Sequence, residues 1–440
     1  MSIKKVLIIG EVFVDTHINL NADDRHLVRL GGIFHSARSF CAIGIPYVLA
    51  YFAPNYLEKD IKYYASILKA TNTIKLGEVL KSPNVMIIQE AKEVGDQGYI
   101  NVLKDQAEIL ENDTIKEDIT REKPSDILIF PGRYDCKNIL LALSDFPGNI
   151  HIDFHYDYEK IIDIVPDNIS SLIFSTSSTF LKGKNDLSIN EIIALYEKYS
   201  KSKLLVKENR GGSYCFDFLK KHFYESGSYH VRTIHSVGVG DCYNSVFISS
   251  IFDDNLLNMK LASIISGIYA STFSFDNFLY NVNQVLQNKE IFLSLKLDRV
   301  SSDEKKKHLI YLAAPDFPYV NTKLLDELDN CLKYHGFITK RPIKENGLIS
   351  ASSSEMEKKS IYFKDIDLLK KCDLLIATLL FIDPGTLVEI GLFKKQGMPV
   401  IIFDPYSLCN NNFLINTADY ICNSIEEVLE AVYNNYRRLI

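Results

Sequence analysis

The strongest constraint on this chain is a repeated alternation. Short runs rich in aliphatic and β-branched residues, at positions 6–9, 47–50, 127–130, 150–153, 172–174 and 204–206, are separated by longer stretches with helical apolar spacing, such as 57–70, 189–200 and 242–252. Wholly apolar runs suit strands buried on both faces, and helices between them supply the crossovers that parallel pairing needs. A mostly parallel sheet with helices on both sides follows. The stretch 81–111, with a further strand expected at 85–89, breaks this rhythm. It alternates apolar and polar residues around Gly95 and Gly98, which predicts an antiparallel flap.

The alternation is interrupted once. Residues 296–307 are charged and lack apolar periodicity, so they read as a linker between a domain at 1–295 and another at 308–440. A chain of 440 residues exceeds what one core usually organises, which agrees with two domains. The second domain opens on an apolar strand at 308–315, with further strands at 373–380 and 399–403 and a polar loop at 350–355. Several function classes are disfavoured. A net charge of -7 argues against nonspecific binding to duplex nucleic acid. No run approaches the roughly 18 apolar residues that span a bilayer, and the N-terminus lacks the long apolar core of a signal peptide. Eight scattered cysteines without a C-x-x-C pair point to a reducing cytoplasm and away from disulfides or metal. The histidines His17, His35, His151, His155 and His230 have no ligand spacing and read as structural. His151-Ile-Asp153-Phe-His155 reads as a strand-end cluster.

Two segments carry chemistry. In the first, an apolar strand ends at Asp383-Pro384-Gly385-Thr386-Leu387-Val388-Glu389-Ile390-Gly391, where a helix begins. Ligands of open α/β sheets bind at the carboxyl ends of strands, and a carboxylate there can attack a sugar C1′. The same spacing fits a capping box, with Thr386 as the cap and Glu389 bonding back to it. Spacing leaves both roles open. In the second segment, Val237-Gly238-Val239-Gly240-Asp241 sets two glycines before an acid at a helix start. Such a turn can cradle phosphate while the acid deprotonates a hydroxyl; equally, Asp241 can be a plain N-cap.

The wider pattern brings two resemblances. Residues 308–440 resemble the nucleoside 2-deoxyribosyltransferase family. The resemblance rests on Tyr311-Leu312-Ala313-Ala314-Pro315, the helix from Asp365 to Asp373, the Asp383–Gly391 turn, and Gly397-Met398-Pro399-Val400-Ile401. It implies a smaller flavodoxin- or Rossmann-like α/β fold with Glu389 as the nucleophile. Asp365 and Asp383 would move a proton or orient the sugar, and Tyr311, Ala313 and Thr386 would line the nucleoside pocket. No cofactor is implied. Asp316 departs from the pattern, which usually has an apolar residue there, and residues 336–362 match no assigned piece. Transfer and hydrolysis both stay open, as do nucleoside and nucleotide substrates.

Residues 1–295 resemble the PfkB family of ribokinase-like carbohydrate kinases. Gly10-Glu11-x-x-x-Asp15 matches its first strand and sugar-binding acid, Gly31-Gly32 its sugar-contacting pair, and Gly238-Val239-Gly240-Asp241 its anion hole and base. The resemblance implies a three-layer α/β/α fold with a β lid, ATP and Mg²⁺ as ligands, and a homo-oligomer. Ser36 stands where the family has asparagine, His235 where it has aspartate, and Asn209 at a nucleotide-loop glycine. Ser175-Thr176-Ser177-Ser178 replaces a metal-organising Asn-x-x-Glu. These departures leave two readings: an active sugar or nucleoside kinase, or a degenerate sensor or assembly module that controls a nucleotide-degrading glycosidase in a regulatory or defence-type effector.

Overall fold

The computed structural model describes all residues except 1–3, 19–26, 90–98, 155–164, 166–168, 179–180, 182–186, 200, 350–352 and 440. The chain divides into two compact units whose boundary in the sequence falls between Arg299 and Val300.

The first unit is organised by the strand Val6–Glu11. Its side chains alternate: Val6 and Ile8 enter one apolar core, Leu7 and Ile9 the other. The neighbouring strand Tyr47–Ala53 does the same, with Leu49 and Tyr51 on the first face and Val48, Ala50 and Phe52 on the second. One face is covered by helices Phe34–Ile43, Val239–Ile248, Asn255–Ala270 and Phe275–Gln287; the other by Ile115–Glu122 and Cys136–Ala142. The result is three layers around a ten-stranded sheet. Its order is His222–Ser226, Ser213–Asp217, Lys203–Lys207, Ser171–Ser175, Asn149–Asp153, Asp126–Ile129, Val6–Glu11, Tyr47–Ala53, Asn72–Leu80, Glu108–Glu111. Pairing is parallel except at the two ends. The chain winds outward from Val6–Glu11 in one direction and then the other, so the carboxyl ends of Val6–Glu11 and Asp126–Ile129 flank the switch point where ligands of such sheets sit.

A separate four-stranded sheet, in the order Leu27–Leu30, Val14–His17, Val85–Ile88, Tyr99–Asn101, forms a lid. The expected flap is corrected in its extent. Val85–Ile88 and Tyr99–Asn101 belong to it, but Glu108–Glu111 pairs with Asn72–Leu80 at the edge of the main sheet. Gly95 and Gly98 lie outside the described residues.

The second unit holds a five-stranded, wholly parallel sheet in the order Ile338–Lys340, Leu309–Ala313, Leu374–Thr378, Val400–Phe403, Tyr420–Cys422. This 2-1-3-4-5 order is that of flavodoxin-like sheets, with the switch point between Leu309–Ala313 and Leu374–Thr378. Ile310, Leu312, Leu374 and Ile376 pack under helices Lys323–Tyr334 and Ile425–Leu439. Tyr311, Ala313, Leu375 and Ala377 face the other way, toward helices Glu355–Lys371 and Pro384–Lys395.

The stretch expected as a linker is largely structured. Ser301 and Glu304 make a reciprocal capping box that starts a helix at Ser302–Lys307. Lys305 on that helix is buried; its Nζ donates to the His335 carbonyl and to the Tyr433 hydroxyl, both at 3.0 Å, and lies over the rings of Phe337 and Tyr433. On the other side of the boundary, Asp298 bridges to Ser228 and Arg299 pairs with Glu208 at 2.7 Å.

Candidate active site

The second unit brings its carboxylates to the switch point. The helix after Leu374–Thr378 starts with Asp383 as N-cap and Pro384 in its first turn. Pro fits there because its missing N–H has no partner to lose, and Asp383 accepts from the Thr386 backbone N–H at 2.7 Å and from its hydroxyl at 2.9 Å. Thr386 is therefore the third residue of the helix rather than its cap. Glu389 lies one turn further on and takes no part in capping. Its Oε1 instead accepts from the Tyr311 hydroxyl at 2.6 Å. Tyr311 sits in the strand that borders the switch point, so the alternation that buries its ring also aims its hydroxyl at the helix.

Three acids share this region. Burial is the main force on Glu389, and with the neighbouring charges of Asp365 and Asp383 it outweighs the Tyr311 hydrogen bond, so its carboxyl is pushed up to about 7. Burial likewise raises Asp365, which accepts from Asn346 Nδ2 at 2.8 Å. Burial and the Glu389 charge push the Tyr311 phenol far above its usual range, so it remains a donor. None of Glu389, Asp365 and Asp383 forms an ion pair among the described residues.

The other expected residues take structural positions. Ala313 is fully buried in the core, and Thr386 is buried with its hydroxyl on Asp383, so both shape the pocket from behind. Asn346 gave no signal in the sequence; it belongs to the short helix Pro342–Asn346 inside the unmatched stretch. The departure at Asp316 has a partner there too. Arg341 donates to both Asp316 oxygens at 2.9 and 2.7 Å, to Asp326 at 2.5 Å, and lies 3.6 Å from Asp329. The bidentate pair ties the loop after Ala313 to the next strand.

In the first unit the glycines stand where the motif places them. Gly238, at φ 75°, is the N-cap of helix Val239–Ile248, and a Cβ on it would enter the His35 ring. Asp241 is the third residue of that helix, so a plain N-cap role is excluded. Burial, reinforced by the Asp153 charge and opposed by Lys207, pushes Asp241 up to about 7. Lys207 Nζ donates to Asp153 Oδ2 at 3.0 Å and Asn244 Oδ1 at 2.9 Å, and reaches the Gly240 carbonyl at 3.5 Å. A lysine of this chain thus stands directly over the glycine turn, a position the sequence did not advertise. Ser36 donates to the Asp241 carbonyl at 3.4 Å.

Gly31 leaves room for Asp15, whose carboxylate occupies the space of a Cβ at that position, and Gly32 adopts φ 58° over the Glu11 carbonyl. Asp15 Oδ2 lies 3.0 Å from His35 Nε2, and His35 Nδ1 bonds the Tyr269 hydroxyl at 2.8 Å. Glu11, at the switch point, receives the Arg133 backbone N–H at 2.9 Å and its guanidinium at 3.0 and 2.5 Å. His151 bonds Ser171 and Asp126, while His155 lies outside the described residues.

The two acids at the turn are Asp241, held toward its neutral form, and Asp153, occupied by Lys207 and Asn244. No group of three or more acid, histidine or cysteine side chains that could hold a metal occurs among the described residues. No helix among them is long and apolar enough to cross a membrane.

Comparison with known proteins separates the two units. Residues 310–418 match the sequence model of the family described as Nucleoside 2-deoxyribosyltransferase. No curated protein sequence matches the chain. Among solved structures, ribokinase from Giardia lamblia superposes with a TM-score of 0.51 at 14% identity, over 65% of this chain and 99% of that one. A candidate ribokinase from Agrobacterium tumefaciens gives 0.50 at 14% identity, over 64% and 99%. Arabidopsis thaliana ribokinase, solved with ribose and ATP, gives 0.49 at 12%, over 67% and 99%. The chain therefore joins a unit with the ribokinase fold to one that carries the nucleoside 2-deoxyribosyltransferase pattern over residues 310–418.

Proposed function

We propose that the second unit breaks the N-glycosidic bond of a nucleoside or nucleotide through a covalent intermediate on Glu389. The observation that supports this most is the 2.6 Å bond from Tyr311 to Glu389 Oε1, which leaves Oε2 for attack. In the first step ionised Glu389 attacks C1′. The C1′–N bond breaks, its electron pair leaves with the base, and a proton from Asp365 neutralises that base. The product is a glycosyl ester of Glu389 and an ionised Asp365. In the second step Asp365 takes a proton from water or from an N–H of an incoming base. The oxygen or nitrogen so freed attacks C1′ and expels the Glu389 carboxylate. Water gives the free sugar, and a second base gives a new nucleoside. The upward shifts suit these roles: Glu389, at about 7, can change charge near neutral pH, and burial favours the proton-bearing form of Asp365. Asp383 holds the helix start and so fixes where Glu389 stands.

The test is mass spectrometry of a nucleoside and nucleotide panel incubated with the protein, with and without free bases. Free base alone identifies hydrolysis, and a new nucleoside identifies transfer. Glu389→Ala is expected to abolish both; base release that survives it sinks the nucleophile assignment.

For the first unit, the Lys207–Asp153 pair favours a second reading, in which this unit binds a sugar- or nucleoside-type ligand without phosphorylating it and acts as a sensor. ATP then suffers no turnover with simple sugars or nucleosides. A mass gain of one phosphate on any of them refutes this reading.

A further inference from the structure

We infer that the side-chain cluster around Asp15 binds a phosphate-bearing ligand, a sugar phosphate or free phosphate, on Arg29, Arg38 and His17. The inference rests on reading the first unit as a binding module, and it reverses what the kinase resemblance implies for this cluster, a neutral sugar hydrogen-bonded to Asp15.

Asp15 is buried beside a histidine, and its Oδ2 accepts no hydrogen bond among the described residues. It faces His35 at 3.0 Å, and His35 is fixed from behind by Tyr269 at 2.8 Å. Two guanidiniums stand beside this chain of groups. Arg29, from the lid strand, lies 5.1 Å above the Phe273 ring and 5.8 Å above that of Tyr269. Arg38, from helix Phe34–Ile43, donates one nitrogen to the Leu30 carbonyl at 2.7 Å. The charges of Asp15, Arg29 and Arg38 act on one another, and those of Asp15 and Arg29 act on His17. Burial leads the forces that hold His17 and His35 down to about 4, so both rings are neutral at pH 7. Among the described residues, two fixed positive charges thus face one carboxylate.

The same cluster has donors to spare. Arg29 Nε, Arg38 Nη1 and the one protonated ring nitrogen of neutral His17 are donors buried with no hydrogen-bond partner among the described residues; the other His17 nitrogen and Asp15 Oδ2 are unmet acceptors beside them. His17 is 2% exposed. Its ring meets Phe273 edge-on at 4.9 Å, and His235 stacks on the other partner of that contact at 4.3 Å, which holds the donors in place. Buried donors without acceptors and an uncompensated positive charge are both costly, and one ligand can relieve both. It must carry negative charge and several acceptor oxygens. A sugar hydroxyl supplies acceptors without charge. A phosphate monoester supplies a dianion and three terminal oxygens, the set that guanidinium forks bind best. Asp241 lies close enough for the Asp15 charge to act on it, and burial pushes it up to about 7, which lowers its negative charge near neutral pH and so its repulsion of such an anion.

The test is isothermal titration of the full chain with ribose, ribose 5-phosphate and inorganic phosphate. Ribose 5-phosphate is expected to bind at least about tenfold more tightly than ribose, the size of a charge-assisted hydrogen bond. Arg29→Gln is expected to erase that preference while leaving the melting curve of the ligand-free protein in place. Should that variant fail to fold, the comparison of ligands on the unaltered protein still decides. Inorganic phosphate that matches ribose 5-phosphate assigns the site to free phosphate, and weaker binding assigns it to a sugar phosphate; both outcomes support the inference. Ribose binding as tightly as ribose 5-phosphate overturns it but leaves the binding-module reading standing. No binding of any of the three sinks both. Weakening by Lys207→Met with none by Arg29→Gln places the phosphate at the glycine turn and also overturns it.

Discussion

Deleting one oxygen, in Tyr311→Phe, tests the chemistry assigned to Glu389 without touching the carboxylate. The Tyr311 hydroxyl donates to Glu389 Oε1 at 2.6 Å, and this bond favours the ionised carboxylate over the neutral acid. Burial, with Asp365 and Asp383, works against it and sets the group at about 7. A hydrogen bond to a charged group is worth about 1.5–3 kcal/mol, and one pKa unit is about 1.4 kcal/mol, so its loss raises Glu389 by about 1–2 units. Attack on C1′ needs the ionised form. The acid limb of kcat/KM therefore moves from near 7 to about 8–9. At pH 7, where the parent is half ionised, the variant loses about 5- to 50-fold in rate, and most of the loss is recovered by raising the pH. The assay is the initial rate of base release between pH 5 and about 9.5 for both proteins. An acid limb that stays in place, or a loss equal at every pH, refutes the reasoning, because it makes Tyr311 a packing residue only.

Other perturbations reach separate links of the argument. In Glu389→Gln, the sign follows from a folded-state value raised above the unfolded one. The acid contributes stability that is full below about 4.5 and lost as pH rises through about 7, so the glutamine variant should outlast the parent in thermal melts above pH 7, by on the order of 1–3 kcal/mol, with no advantage at pH 4. Arg341→Met removes the bidentate partner of Asp316, while Lys333 and Lys344 still neutralise Asp329; a loss of about 1.5–3 kcal/mol in denaturant unfolding of the second unit is expected. Gly31→Ala drives a methyl into the Asp15 carboxylate and should lower the melting temperature of the first unit, with a cost of about 1–3 kcal/mol, and remove ribose 5-phosphate binding in titration.

The elements that sequence made legible are those whose side chains report both faces of a strand. Residues 6–9 are apolar throughout, and their alternate members fill two separate cores. Strands next to the sheet's ends were hidden for the opposite reason. Asn72–Leu80, one in from the edge, carries Lys75 and Glu78, and Ser213–Asp217, likewise one in, begins and ends on polar residues, so neither shows a wholly apolar run. The pairing of Glu108–Glu111 with Asn72–Leu80 is long-range information that no local pattern holds. At the site, Thr386 and Glu389 fitted a capping box, but Asp383 before Pro384 is the better start signal, and it takes the cap. That leaves Glu389 free for Tyr311, a partner 78 residues away. Asn346, Arg341 and Lys207 stayed invisible likewise, since each is defined by a partner distant in the chain. The polar composition of 296–307 concealed a helix because its one buried side chain is a lysine.

The first unit shows how a glycine motif and the chemistry it usually serves can separate. Gly31 is required by the Asp15 carboxylate, Gly32 by the Glu11 carbonyl and Gly238 by the His35 ring. Each is kept by a neighbour within this chain, so the glycines would persist whether or not a phosphoryl group ever reached the turn. The charges are the more telling residues. Lys207 stands over Gly240 and is held by Asp153. An anion arriving there competes with that carboxylate for the same ammonium, while Asp241, pushed up to about 7, changes charge near neutral pH. At Asp15 the balance runs the other way, because Arg29 and Arg38 retain unpaired buried donors. The positive charge with unmet hydrogen bonds thus lies at the sugar end of the site, and the compensated one at the phosphoryl end. A kinase needs the reverse, with a free anion hole and an uncharged cradle for the hydroxyl it phosphorylates. That charge distribution is what the phosphate-bearing ligand proposed for this unit requires.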